Sequence, residues 1–195
     1  MSRKKDKSFN SVAKNMTTFL KSKTFLKQED HSHYDKRLFN SCRKLLVNIN
    51  QAGLITENSQ LGSLEPGSEE HAYICGFIKK ERTSKFVDFI NTQCDNKIAF
   101  VIEYPLLNDP IEMVVTYDDG EPFSILTNNL TKEEINSVFE YNNISSEVAD
   151  YVCLIDKEIG RIANKKDGLF TDTLNGLKQL NPTNRSRRRS WFKLW

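Results

Sequence analysis

Basic and acidic residues are segregated along this chain, and the segregation limits which residues can form a core. Residues 1–28 contain eight Lys and Arg and one acid, while residues 181–195 contain five Lys and Arg and no acid. Residues 29–180 contain 15 basic and 25 acidic residues, a net charge of −10, although the whole chain is only +2. We therefore expect an acidic globule with a basic arm at each end, a pattern typical of proteins that attach to something larger.

The length of 195 residues fits a single domain flanked by these arms. The predicted boundaries are a basic N-terminal arm at 1–33, a globular domain at 34–180 and a basic, aromatic C-terminal tail at 181–195. A core of about 150 residues can bury a sizeable apolar interior without metal or disulfide support. The predicted fold class is α+β, with a small mixed β-sheet of four or five strands and about four helices.

Apolar residues at helical spacing indicate where the helices lie. In the N-terminal arm, such residues predict a short amphipathic helix that forms when the arm is bound. The strongest boundary is Thr131, because Thr131 and Glu134 form a capping box and Leu130 and Ile135 form a hydrophobic staple. A period of 4, 3, 4, 3 from Val148 predicts the longest helix. The predicted helices of the domain are 34–50, a helix from Thr83 or Ser84 to Cys94, 131–141, 145–163 and a last short one at 169–180.

Two near-continuous apolar runs, 71–80 and 97–104, are joined by a predicted helix. This order is typical of a β-α-β crossover with two parallel, buried strands. Strands at 111–117 and 122–126 flank an Asp-Gly turn and predict a hairpin. Residues 54–56 predict a short strand, and the polar, Gly- and Pro-containing residues 57–70 predict a loop.

The four cysteines are widely spaced and form no CxxC pair. No apolar stretch typical of a secretory signal follows the N-terminus, and no run is long enough for a transmembrane helix. We therefore expect free thiols in an intracellular, reducing compartment, and no zinc site. The cysteines are Cys42, Cys75, Cys94 and Cys153.

No catalytic, cofactor-binding or metal-binding motif is present: the chain lacks G-x-S-x-G, GxGxxG and a P-loop. Asp118, Asp119 and Glu121 could bind a cation or act as acid and base, but Asp-Asp-Gly is also ordinary turn chemistry, which we favour. A small enzyme that uses the 53–60 loop is a less favoured alternative, since a serine nucleophile there needs a base and an oxyanion site.

One stretch resembles a known family. It contains Asn50, Gly53, Thr56, Ser59 and Gln60, followed after a spacer by the strand that ends at Gly76-Phe77. This N-x-x-G-x-x-T-x-x-S-Q pattern resembles uncharacterised proteins of large DNA viruses and some bacteria. The resemblance implies a shared α+β core and a viral source, and it names no catalytic residue. Gly53, Thr56, Ser59 and Gln60 could simply hold a tight loop after the first helix of the domain.

The basic arms are the strongest functional signal. Arginine pairs with phosphates and carboxylates, and tryptophan anchors in pockets or stacks. We therefore interpret the chain as a structural component of a large assembly, most concretely a minor capsid protein of a large DNA virus, so that its location includes the virion. Alternatives are a nucleic-acid-binding accessory protein and attachment to an anionic membrane surface. The predicted partner-binding residues are Lys4, Lys5, Phe19, Lys21, Lys23, Arg185, Arg187, Arg188, Arg189, Trp191 and Trp195.

Overall fold

The computed structural model describes residues 2–22, 36–65, 68–94, 97–104, 112–127 and 130–180. Within those ranges the chain has five helices and six strands. The helices are α1 (Ser2–Lys21), α2 (Lys36–Ala52), α3 (Lys80–Gln93), α4 (Lys132–Tyr141) and α5 (Leu169–Gln179). The strands are β1 (Leu54–Glu65), β2 (Ser68–Lys79), β3 (Ile98–Tyr104), β4 (Glu112–Asp118), β5 (Glu121–Thr127) and β6 (Ala149–Asp156).

All six strands belong to one sheet with the order β3-β6-β2-β4-β5, and β1 pairs with β2. Every pairing between the described strands is antiparallel. The α+β fold class is therefore confirmed, and so are the two parallel strands joined by a helix, which are β2, α3 and β3. The mixed sheet is wrong, because every pairing among the described strands is antiparallel and β2 and β3 are not neighbours. Both strands pair antiparallel with β6, so they run in the same direction with β6 between them. Strand β2 lies inside the sheet, β3 lies at its end, and β6 comes between them from later in the chain.

Hydrophobic side chains pack on both faces of the sheet, because successive residues of a strand point to opposite sides. Helices α2, α3 and α5 cover one face, with Ile49, Phe86 and Phe170 at most 1% exposed. Helix α4 covers the other face, where Phe139 packs edge-on against Phe77 at 5.1 Å between ring centroids. The protein thus has two cores separated by one sheet.

The predicted helix at 145–163 is wrong, because the chain there forms strand β6. All eight residues from Ala149 to Asp156 are buried, and the strand lies between β2 and β3. Apolar residues at Val148, Val152 and Ile155 match a helical period, but residues 151–155 are also a continuous apolar run. A central strand is buried on both faces, so it shows no alternation that would distinguish it from a helix.

The predicted loop at 57–70 is also wrong, because these residues form most of the hairpin β1–β2. Leu54 pairs with Ile78 at one end and Glu65 with Ser68 at the other. One irregularity lies between Thr56 and Asn58. The polar side chains are accommodated because β1 pairs with a strand on one side only among the described residues. Tertiary pairing therefore overrides the weak strand propensity of this segment.

Several local predictions are confirmed. Helix α4 begins with the expected capping box, in which Thr131 and Glu134 bond to each other's backbone N–H groups. The β4–β5 hairpin turns at Asp119 and Gly120, both with positive φ. The helix after β2, however, begins at Lys80 rather than at Thr83 or Ser84. Thr83 lies inside α3, where its hydroxyl donates a hydrogen bond of 2.7 Å to the Asp150 carboxylate.

The cysteine prediction is correct for one pair and wrong for the other. Cys42 and Cys94 are buried and take no part in a disulfide. Cys75 and Cys153 occupy paired positions on β2 and β6, with 4.0 Å between their Cα atoms, and form a disulfide. This pair could not be predicted from sequence, because 78 residues separate the two cysteines and only the strand register brings them together. None of the helices in the described ranges has the length and apolarity needed to cross a bilayer.

Candidate functional site

The N-terminal segment differs from the predicted arm at 1–33, because α1 packs onto the domain. Phe9 and Leu20 are 2% and 4% exposed and belong to the two opposite cores. The predicted helical spacing is therefore confirmed, but the helix is part of the domain. Phe19 is 41% exposed and Lys21 is exposed at the end of α1.

The remaining predicted partner-binding residues cannot be placed as side chains. Lys4 and Lys5 lie in the first turn of α1. Lys23 lies outside the described residues, as do the tail residues Arg185, Arg187, Arg188, Arg189, Trp191 and Trp195. Their partner-binding role therefore stays a prediction.

The N-x-x-G-x-x-T segment links the end of α2 to the start of β1 through buried hydrogen bonds. The Asn50 amide donates to the Leu46 carbonyl at 2.9 Å and to the Thr56 hydroxyl at 2.8 Å. Its oxygen accepts from the Thr56 backbone N–H at 3.1 Å. Asn50 and Thr56 are 2% and 6% exposed, so these bonds satisfy groups that water cannot reach. The two residues therefore close the connection between helix and strand.

Arg82 fixes the same connection from α3. Its guanidinium donates to the carbonyl of Ala52 at 2.8 Å and to that of Leu177 at 3.0 Å, which satisfies orphan carbonyls at the ends of α2 and α5. Gly53 has φ of +110°, and a Cβ there would collide with this guanidinium. Burial lowers the pKa of Arg82. The glycine is thus favoured by its backbone conformation, and a larger residue would displace the guanidinium from these two carbonyls.

The last part of the motif ties β1 to its neighbours on the sheet. The Gln60 amide lies 3.2 Å from the Thr116 hydroxyl on β4 and 3.4 Å from the His71 carbonyl on β2. The Tyr151 hydroxyl donates to the Glu57 carboxylate at 3.0 Å. Burial, followed by the charge of Glu57, raises the pKa of Tyr151, so this phenol stays protonated. These contacts give the motif a structural role.

A cavity of about 320 Å³ lies where α1 and α2 face the edge of β1. Its apolar wall includes Met16, Phe39 and Leu46, and its polar wall is the run from Thr56 to Gln60. Its volume is in the range of small-molecule pockets, so the groups that line it decide whether the 53–60 loop can form an active site.

The groups around this cavity do not form a nucleophile with a base. Burial raises the pKa of the Cys42 thiol to about 12, so the reactive thiolate is absent near neutral pH. His71 does not line the cavity, and its Nδ1 lies 2.7 Å from the Asp156 carbonyl oxygen. Among the described residues there is also no cluster of three or more His, Cys, Asp or Glu side chains suited to a metal.

The β4–β5 hairpin presents the most exposed apolar side chains of the sheet. Phe123 is 73% and Ile125 49% exposed, whereas the cross-strand pair Leu126 and Met113 is partly buried against the core under α4. Four acids on this hairpin are exposed: Glu112, Asp118, Asp119 and Glu121. The acidic turn was correctly interpreted from sequence as a hairpin tip, but the apolar surface beside it was missed. No sequence signal marked it, because apolar residues occur on both faces of β5.

Comparison with known proteins gives a family but no activity. No curated protein matches this chain. A family model described as "Domain of unknown function (DUF6919)" matches residues 11–174, which include α1 from its middle onward and every strand of the sheet. The match ends before the basic tail at 181–195. Because it spans most of the chain, the protein belongs to the DUF6919 family.

Proposed function

We propose that the protein is a structural component of a large assembly and acts by binding its neighbours rather than by catalysis. The observation that best supports this is the face of the β4–β5 hairpin on which Phe123 and Ile125 stand exposed among acidic residues. Exposed large apolar side chains surrounded by polar ones are typical of interaction sites. In the cavity beside β1, in contrast, the Cys42 thiol stays protonated and the Glu57 carboxylate accepts a hydrogen bond from Tyr151.

The charge distribution supports the same proposal. The central region is acidic, and the strongly basic residues 185–189 lie beyond the matched family region. Such a tail can attach a shared domain to a particular partner without changing the domain itself. An accessory protein of a viral capsid is the most concrete form of this proposal, and its support is the resemblance of the Asn50–Gln60 motif to proteins of large DNA viruses.

Sedimentation of lysates from the natural source tests the proposal. The full-length protein should sediment with large particles, and the full-chain variant Arg187→Gln, Arg188→Gln, Arg189→Gln should shift to the low-mass fractions. Tyr141→Ser is a matched surface control, because Tyr141 is 85% exposed on α4 and outside the hairpin. Full-length protein that sediments as a free species would overturn the proposal.

Nuclease treatment of the same lysates separates the nucleic-acid alternative. Protein that leaves the heavy fractions after nuclease digestion binds nucleic acid, because phosphate contacts then hold it there. Protein that stays in them is held by other subunits. The structural proposal requires the second result.

A further inference from the structure

We propose that the β4–β5 hairpin of one copy binds residues 185–195 of a second copy, so that the protein associates with itself head to tail. This inference deepens the proposed function by naming the partner. The structure describes the hairpin, and residues 185–195 are known from the sequence.

The receiving surface is an apolar strip between acidic ends. Phe123 and Ile125 point to the same side of β5, away from Leu126, which packs into the core. Acids lie at both ends of the strip, since Asp118 pairs with Glu121 at the turn and Glu112 pairs with Thr127 at the other end. Residues 112–127 contain four acids and no Lys, Arg or His. The hairpin therefore offers apolar contact together with a local charge of −4.

The C-terminal segment is complementary to this strip in both respects. Residues 185–195 contain four Arg and one Lys, no acid, and the apolar residues Trp191, Phe192, Leu194 and Trp195. Arginine pairs with carboxylates through two parallel hydrogen bonds, and tryptophan is the most frequent kind of anchor at interfaces. A basic cluster followed by large aromatic side chains thus matches acids that flank Phe123 and Ile125.

Geometry favours a second copy over the chain's own tail. Leu180 borders the same cavity as Lys79, at the end of β2, whereas the hairpin turn lies beside Ser68, at the beginning of that strand. Phe123 and Ile125 lie nearer to Lys79 than the turn does, because Ile125 pairs with Val114, two residues beyond the pairing of Thr116 with Glu70. The strip is therefore roughly 23–30 Å from Lys79 along β2. Eleven residues of random-coil chain, the number from Leu180 to Trp191, span about 18 Å on average and about 36–40 Å when fully extended. Binding to its own hairpin would therefore require a chain much more extended than an average coil.

The contact joins two different parts of the protein, the hairpin of one copy and the tail of another, so it is heterologous. Each copy can therefore donate its tail to one neighbour and bind the tail of a second. Such contacts build open chains, or rings when the rotation closes. A protein that extends itself in this way can form part of a larger particle.

Complementary variants test this inference on purified full-length protein by light scattering after size exclusion. The hairpin variant is Phe123→Ser with Ile125→Ser, and the tail variant is Trp191→Ser with Trp195→Ser. We expect wild-type protein to self-associate at low salt and each variant alone to remain monomeric. A mixture of the two should form a heterodimer and stop, because it has one intact hairpin and one intact tail. Self-association should weaken as salt rises, since exposed charges are screened.

Three results would overturn the inference: wild-type protein that stays monomeric, a hairpin variant that associates like wild type, or a mixture that stays monomeric while wild type associates. Circular dichroism checks that each variant is folded, and Tyr141→Ser should associate like wild type. If self-association fails but the protein still sediments with large particles in lysates, the proposed function survives with a different partner. If both fail, the proposed function falls as well.

Discussion

The two hairpins of this sheet have similar architecture and opposite surroundings. In β1–β2, α1 and α2 face the edge of β1, and the loop after β6 bonds to both strands: Ala163 N–H to the Leu61 carbonyl and Gly160 N–H to the Glu70 carbonyl, each at 2.9 Å. In β4–β5, one side packs under α4, and the other exposes Phe123 and Ile125. The first hairpin is thus enclosed by the domain, and the second is open on one face.

This difference separates stability from binding. Substitutions at the buried contacts of the first hairpin should change the free energy of unfolding, because the Thr56 side chain and the Leu61 and Glu70 carbonyls are hydrogen-bonded there. Substitutions on the open face of the second hairpin should change association and leave stability nearly unaltered.

The largest effect should come from Arg161, which holds the loop that encloses the first hairpin. Its Nε lies 2.6 Å from the Asp156 carboxylate, and the two side chains are 7% and 0% exposed. Burial acts to lower the pKa of Arg161, but the hydrogen bond and charge of Asp156 raise it above its ordinary value. Arg161→Met leaves that carboxylate buried without its cation, so urea unfolding should show a loss of about 3–5 kcal/mol.

The double variant Asp156→Asn, Arg161→Met is the control for this prediction. It removes both charges, so it should recover most of the lost stability. Amide hydrogen exchange adds a local measurement: in Arg161→Met, protection should fall more in β1–β2 than in β4–β5. Equal losses in the two hairpins would contradict the special role of this loop.

The next largest effect should come from Asn50, which anchors the beginning of β1. Asn50→Ala removes three hydrogen bonds and leaves the Thr56 N–H and hydroxyl buried without partners, a cost of about 2–3 kcal/mol. Asn48 is the matched control, because it is exposed on the same helix. Asn48→Ala should change thermal and urea unfolding little. Similar losses in both variants would show that the motif has no special structural role.

These residues also show what could be predicted from sequence. The helix-capping residues at Thr131 and the Asp-Gly turn of the second hairpin are encoded within a few residues, and both predictions are confirmed. Strand β6, the β1–β2 hairpin and the Cys75–Cys153 disulfide depend on partners distant in sequence. Local spacing and propensity therefore pointed to a helix and a loop where pairing across the sheet produces strands.

The candidate site was less predictable than the fold. The sequence indicated that Gly53, Thr56 and Gln60 belong together, but whether they form a site or a structural junction depends on burial. The sequence could not show that Phe123 and Ile125 are exposed while Leu126 is partly buried against the core, because all three are apolar and nearly adjacent. Which face of a strand a helix covers is decided by the tertiary arrangement.

The smallest and most direct comparison uses one glycine from each hairpin. Gly62 in β1 and Gly120 in the β4–β5 turn have nearly equal φ, +81° and +84°, so an alanine is strained by a similar amount, about 1 kcal/mol, at both. They differ in space: a Cβ at Gly62 would lie 2.9 Å from the Arg161 carbonyl oxygen and 3.1 Å from the Ala72 nitrogen, whereas at Gly120 nothing lies within 4 Å.

The difference between the free energies of unfolding of the two alanine variants cancels the shared backbone strain. What remains is the cost of crowding at Gly62 in the first hairpin. Both atoms near Gly62 belong to the backbone, so they cannot turn aside as a flexible side chain can. Gly62→Ala should therefore destabilise the protein by at least about 1 kcal/mol more than Gly120→Ala. Urea unfolding of the two variants measures this difference directly. Equal losses of unfolding free energy in the two variants would mean that the loop after β6 shifts at little cost. The loop would then enclose the first hairpin less tightly than its hydrogen bonds to that hairpin indicate.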